Sequence, residues 1–136
     1  MLRGTVGYLI ALVTFVALDM TWLGIMASRL YRPTLGDMAI AGVNLPPAVL
    51  FYAIYPFGLV IFAVEPASRT GSALSAAMYG ALFGFFTYAT YDLTNQATLR
   101  HWTVTLTLVD VAWGTLLGTI ASVVSFLAVS RLAPTG

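Results

Sequence analysis

Three aspartates stand where an apolar chain tolerates them least. Asp19 follows Ala17-Leu18, Asp110 lies between Val109 and Val111, and Asp92 falls in the stretch from Tyr88 to Gln96. A carboxylate in the middle of a membrane helix costs about 2.5–3.5 kcal/mol on insertion scales, so such an acid faces a partner or a cavity and is a functional candidate. Helical spacing widens each acid into a face. Asp19 and Trp22 are three residues apart, as are Asp110 and Trp113, and each pair shares one side of a helix. Tyr88, Asp92, Asn95 and Gln96 stand at i−4, i, i+3 and i+4, with Tyr91 adjoining them. The candidate ligand-binding residues are therefore Asp19, Trp22, Tyr88, Tyr91, Asp92, Asn95, Asp110 and Trp113.

Carboxyls, phenols and indoles so arranged can hold a small amphipathic, lipidic or cationic ligand, and a cation displacing a proton from them would link binding to pH. With Tyr91 and His101 the acids can also do general acid–base work on a lipid. The bland alternative is that they clasp helices together through Arg, Tyr, Asn or the indole N–H. Three aspartates with Asn95 would suit a hard divalent cation, but there is no tight ligand motif and one histidine, so no metal and no cofactor is expected. His101, beside Trp102, reads as an interfacial residue.

The elements that carry these residues must be membrane helices. Of 136 residues 60% are hydrophobic and 8% charged, against about a quarter charged in a soluble domain. Mean hydropathy is +0.91. Six arginines, no lysine and a net charge of +1 leave no basic stripe for nucleic acid. The absence of cysteine excludes disulfides, thiolate metal sites and a cysteine nucleophile.

A bilayer core takes about 20 residues per helix, and four segments qualify: 4–28, 46–64, 73–95 and 103–130. The expected fold is all-α, a polytopic membrane protein with four transmembrane helices in an antiparallel bundle, one domain over residues 1–136. The first span runs long for a signal peptide and is expected to be retained; residues 132–136 are expected to fray. Asn44 with Pro46-Pro47 opens the second span, Glu65-Pro66 is expected to close it, and Ser72 caps the third. Pro56, flanked by Tyr52 and Tyr55, is expected to kink the second helix. Residues 29–43 form either a short interfacial helix or an ordinary loop.

Spans one and three run the same way and span four returns. Late in one, late in three and early in four therefore mean one depth, so the three acids converge on the side away from the termini. Both termini lie on one side of the membrane. Arg3, Arg69 and Arg131 on that side balance Arg29, Arg32 and Arg100 on the other, so positive charge chooses no orientation; the free amino terminus points to the cytoplasm. The repeated Asp-x-x-Trp suggests matching faces on spans one and four. Ala76, Gly80 and Gly84 on span three and Gly114 and Gly118 on span four form small-residue ridges that join spans three and four or seam a homodimer.

Taken together, Leu18-Asp19-x-x-Trp22-Leu23-Gly24, Tyr31, Leu35-Gly36, Tyr91-Asp92-Leu93-Thr94-Asn95, Leu99, Trp102 and Asp110-x-x-Trp113-Gly114-Thr115 make a specific combination. In these residues, over nearly its whole length, the chain resembles the bacterial membrane proteins grouped as domain of unknown function 2177. The resemblance implies a four-span, multi-pass protein of the bacterial inner membrane and by itself implies no activity. The residues favour binding or moving a ligand in the bilayer. The alternatives are an accessory subunit of a larger membrane complex and a lipid-modifying enzyme.

Overall fold

The computed structural model describes residues 1–134, and these form helices and short connections without a strand. Thr135 and Gly136, from the tail expected to fray, lie outside the described residues. Four long helices organise the chain: α1 (Leu2–Met26), α2 (Leu45–Thr70), α3 (Ala73–Thr98) and α4 (Val104–Leu132). Three of them are long and apolar enough to cross a membrane: α1 with its continuation to Met38, α2 and α4. By that measure the four expected spans become three. α3 has 26 residues, ample length for a bilayer, but its tyrosines, threonines and glycines and the Asp92, Asn95, Gln96 run dilute its apolar character.

Local chemistry sets the ends. The Ser72 hydroxyl accepts from the Ser75 amide at 3.2 Å, and the Thr103 hydroxyl from the Leu106 amide at 3.1 Å, so α3 and α4 each begin on a side-chain cap. Pro46 and Pro47 occupy the first turn of α2, where a missing N–H costs nothing; Asn44 sits at the cap position, but its side chain makes no capping bond.

Two expected boundaries are corrected. Residues 29–43 contain no separate interfacial helix: α1 continues through a wider, π-type turn at Ala27–Tyr31 and short turns at Arg32–Leu35 and Gly36–Met38. Pro33, like Pro66, follows a π-type turn that accommodates its ring; Gly36, at φ 56°, turns the chain into the last, tighter turn in a conformation that favours glycine. Likewise Glu65-Pro66 does not close α2. The helix runs through Pro56, widens into a π-type turn at Val60–Val64 and goes on as Glu65–Thr70. The wider turn accommodates Pro66, whose ring would crowd a regular one. Gly71, at φ 66°, stops the helix.

Packing follows side-chain size. Gly80 and Gly84 of α3 lie against Gly118 and Gly114 of α4, so the glycine ridges form the α3–α4 seam. Without a hydrophobic drive inside a bilayer, such close backbone approach is what gives two helices their van der Waals attraction. The Ser125 hydroxyl donates to the Gly7 carbonyl at 2.7 Å, and the Arg3 guanidinium to the Ala133 carbonyl at 2.6 Å, holding the start of α1 against the end of α4. A core of Val64, Ala67, Ala76, Phe126 and Val129 fills this half. A second core, Phe15, Tyr55, Leu59, Leu117 and Ala121, lies deeper along the bundle and forms the floor of the site.

Candidate functional site

All three intramembrane acids are buried, Asp19 at 6% exposure, Asp92 at 0% and Asp110 at 7%. The end of α1, the end of α3 and the start of α4 bring them to one end of the bundle, as their positions along the chain require. Asp19 accepts two hydrogen bonds, from the Tyr52 hydroxyl at 2.5 Å and from the Trp113 indole N–H at 3.1 Å. Asp110 accepts one from the Tyr31 hydroxyl, which in turn accepts from the Trp22 indole N–H at 2.9 Å. The two indoles stack face to face, centroids 4.4 Å apart and planes 3° from parallel. The repeated Asp-x-x-Trp thus meets itself across the α1–α4 contact. Each tryptophan reaches towards the acid of the other helix, Trp113 directly and Trp22 through Tyr31.

Asp92 is different. Neither of its carboxyl oxygens receives a bond from any donor. The Asp110 carboxyl is close enough to interact with it electrostatically. Among the described residues no arginine or histidine forms an ion pair with any of the three acids. The ion pair observed, His101 Nε2 to Asp37 Oδ1 at 3.6 Å, is at the exposed surface. Among the described residues, no three His, Asp or Glu side chains converge as a metal site.

Beside the acids lies a cavity of about 660 Å³, within the size range of small-molecule pockets. Its wall holds Asp19 and Asp110 together with Tyr31, Tyr52, Tyr55, Tyr88 and Tyr91, five of the chain's 7 tyrosines. Leu23, Pro47, Phe51 and Thr87 complete it. The Tyr55 hydroxyl pairs with the Thr87 hydroxyl at 3.1 Å, and Thr87 donates back to the Phe83 carbonyl at 2.7 Å. Tyr31, Tyr52, Tyr55 and Thr87 thus have partners within the protein, leaving mainly ring surface and the two carboxyls facing the space.

Of the eight residues expected from sequence, Asp19, Tyr88, Tyr91 and Asp110 line the cavity. Trp22 and Trp113 stand outside the wall and position the acids. Asp92 backs Asp110 from α3. Asn95, half-buried, lies outside the wall, and Gln96 accepts from the Thr107 hydroxyl at 2.7 Å in the same region. The residues sequence reasoning left unassigned are chiefly Tyr31, Tyr52 and Tyr55. The i, i+3 spacing of Tyr52 and Tyr55, which puts both on one helix face, was the available signal.

These features define a helical integral membrane protein with a tyrosine-walled, acid-bearing cavity near one end. The chain belongs to the family DUF2177, described as a predicted membrane protein, which matches residues 5–127 and so includes every residue of the site. No curated protein and no solved structure matches the chain.

Proposed function

We propose that this protein crosses the bilayer four times as an antiparallel bundle and binds a small ligand carrying positive charge in the cavity at one leaflet. The four-span reading rests on the seam: α3 follows α4 from Ala76 beside Phe126, through the glycine pairs, to Gln96 on Thr107. A helix in contact with a spanning helix over that length shares its depth, which puts both chain ends on one side. α3 tolerates its lower hydropathy because Asp92 is buried and Tyr88 faces the cavity, while the exposed Thr90, Thr94 and Thr98 donate to carbonyls of their own helix.

The observation that carries the functional reading is the uncompensated charge. Asp19 and Asp110 line one cavity with Asp92 buried behind them, and among the described residues no side-chain cation is paired to the three. Buried charge without a counterion is costly, and a bound cation removes that cost. A proton held on any of these carboxyls would give a route to proton linkage, since an arriving cation competes with it for the same oxygens. The opposite half of the bundle is closed by small-residue packing, which favours a pocket over a path through the membrane.

Native mass spectrometry on protein released from membranes in mild non-ionic detergent tests this, with Asp19→Asn and Asp110→Asn alongside wild type. The expected spectrum has a small-molecule adduct on the wild type that both variants lose. A bare wild type, or one held in a larger assembly with the variants unchanged, would overturn the reading in favour of a structural subunit.

A further inference from the structure

Resting on that reading, we infer that the cavity selects an amphiphile whose head is a quaternary ammonium and whose single alkyl tail leaves sideways, between the first half of α2 and the second half of α3. The head group follows from what the wall offers. A cation near aromatic rings is attracted to their faces, and rings set about a common space are the usual way to hold an ammonium without N–H groups. Five tyrosines surround this one.

Three of the five hydroxyl hydrogens are already committed. Tyr52 donates to Asp19 and Tyr31 to Asp110, while Tyr55 is paired with Thr87. Asp19 also takes the Trp113 N–H, so each of its oxygens holds a donor before any ligand arrives. A primary ammonium entering here leaves water with three N–H donors that must each find an acceptor, which is costly wherever one does not. A quaternary ammonium needs no acceptor and loses nothing of the kind. The carboxylates still supply their field, and that field opposes a head group bearing a phosphate, so a net cation is favoured over a zwitterion.

The tail follows from the helix geometry. α2 contacts α3 from its π-type turn onwards, whereas Leu45–Leu59 meets α3 only around Tyr55 and Gly58, against Phe83, Thr87 and Tyr88. Pro47 and Phe51, nearer the start of α2, and Tyr91, across from them on α3, wall the cavity on a stretch where the two helix backbones diverge. Tyr91 is 57% exposed and Phe51 40%, so the gap between them is open. Leu50, Ile54 and Leu93 are exposed on these two helices, an apolar surface for a chain that lies along the bilayer.

Titration of the purified full-length chain in maltoside micelles tests this, read by tryptophan fluorescence and calorimetry. Decyltrimethylammonium, decylammonium, tetramethylammonium and decylphosphocholine serve as probes. Decyltrimethylammonium is expected to bind saturably and about tenfold or more tighter than each of the others. Tyr91→Leu is expected to weaken it about five- to thirtyfold, the worth of one desolvated cation–π contact, and Tyr91→Phe to restore it.

Equal binding of decylammonium would overturn the ring-cage inference and leave the cationic-ligand reading intact. Equal binding of tetramethylammonium would overturn the lateral tail and point to a water-soluble ligand, and equal binding of decylphosphocholine would point to a zwitterionic lipid. No saturable binding of any cation would overturn both readings together.

Discussion

The two halves of this bundle use the same four helices under opposite rules. Towards the chain ends, helices meet through glycine, alanine and serine: a Cβ added at Gly84 would run into the Gly114 carbonyl, and one at Gly80 into the Gly118 carbonyl and to within 2.7 Å of Ser122 Cβ. Ala63, Ala67, Ala76 and Ala121 are fully buried there and along the middle. Towards Asp19 and Asp110, the contacts are made by indoles and phenols whose polar tips bond to acids, and these large groups hold the helices apart around about 660 Å³ of space. Small residues purchase proximity and hence stability in a solvent without a hydrophobic effect between helices. Large residues with polar ends keep a volume open without leaving buried polar groups alone.

The comparison predicts its largest effects in the closed half. Gly84→Val should separate α3 from α4, because the obstruction is backbone that cannot rotate away. Loss of the folded monomer peak in size exclusion is the expected result. Gly24→Ala is the matched control, a helical glycine with nothing within 4 Å of its added Cβ; it should gain about 0.5–1 kcal/mol against denaturant in micelles. A folded, normally stable Gly84→Val protein would break the distinction between the halves.

Effects of intermediate size and opposite sign are expected from two acids in the open half. Asp19→Asn replaces a double acceptor with one acceptor and one donor, so either Tyr52 or Trp113 loses its partner. The cost should be about 1–3 kcal/mol, read by denaturant titration. Asp92→Asn instead removes a buried carboxyl that has no hydrogen-bond partner, and should stabilise by about 1 kcal/mol. If both substitutions destabilised alike, Asp92 would be a structural clasp and the open half no different in kind from the closed one. A gain at Asp92 alongside loss of the bound species would mark an acid kept for function at the expense of stability.

The sequence made the convergence of the acids legible because depth along a helix is a matter of counting residues, and Asp19, Asp92 and Asp110 each lie near the same end of their helices. The Asp-x-x-Trp repeat was legible for a related reason: matching faces on adjacent helices can meet, and here they stack. The wall was harder. Tyr31 lies beyond the expected end of the first span, and only the π-type turn that carries α1 onwards brings its hydroxyl to Asp110. Tyr52 and Tyr55 looked like neighbours of a proline kink, since nothing in a single strand of text says that two tyrosines on α2 face an acid on α1. Glu65-Pro66 misled because the turn that accommodates the proline is tertiary in origin. α3 is the reverse case, a helix of 26 residues whose Asp92, Asn95 and Gln96 lower its hydropathy although Asp92 is fully buried.

The smallest expected effect concerns the rim. His101 and Asp37 pair at 3.6 Å, but their side chains are 53% and 91% exposed, so water and salt screen the attraction while two mobile side chains are held in place. Removing it with His101→Gln should change stability by less than about 1 kcal/mol and leave the adduct in native mass spectrometry as it was. The same substitution measures whether the open half depends on its rim. Asp37 belongs to the Gly36–Met38 turn that follows Tyr31, and Tyr31 carries the bond from Trp22 to Asp110. If His101→Gln released the bound species while the folded protein stayed as stable as before, the wall contributed by Tyr31 would be fastened from outside. The contrast between the halves would then extend to how each is held: the closed one by its own packing, the open one by a surface contact that salt can loosen.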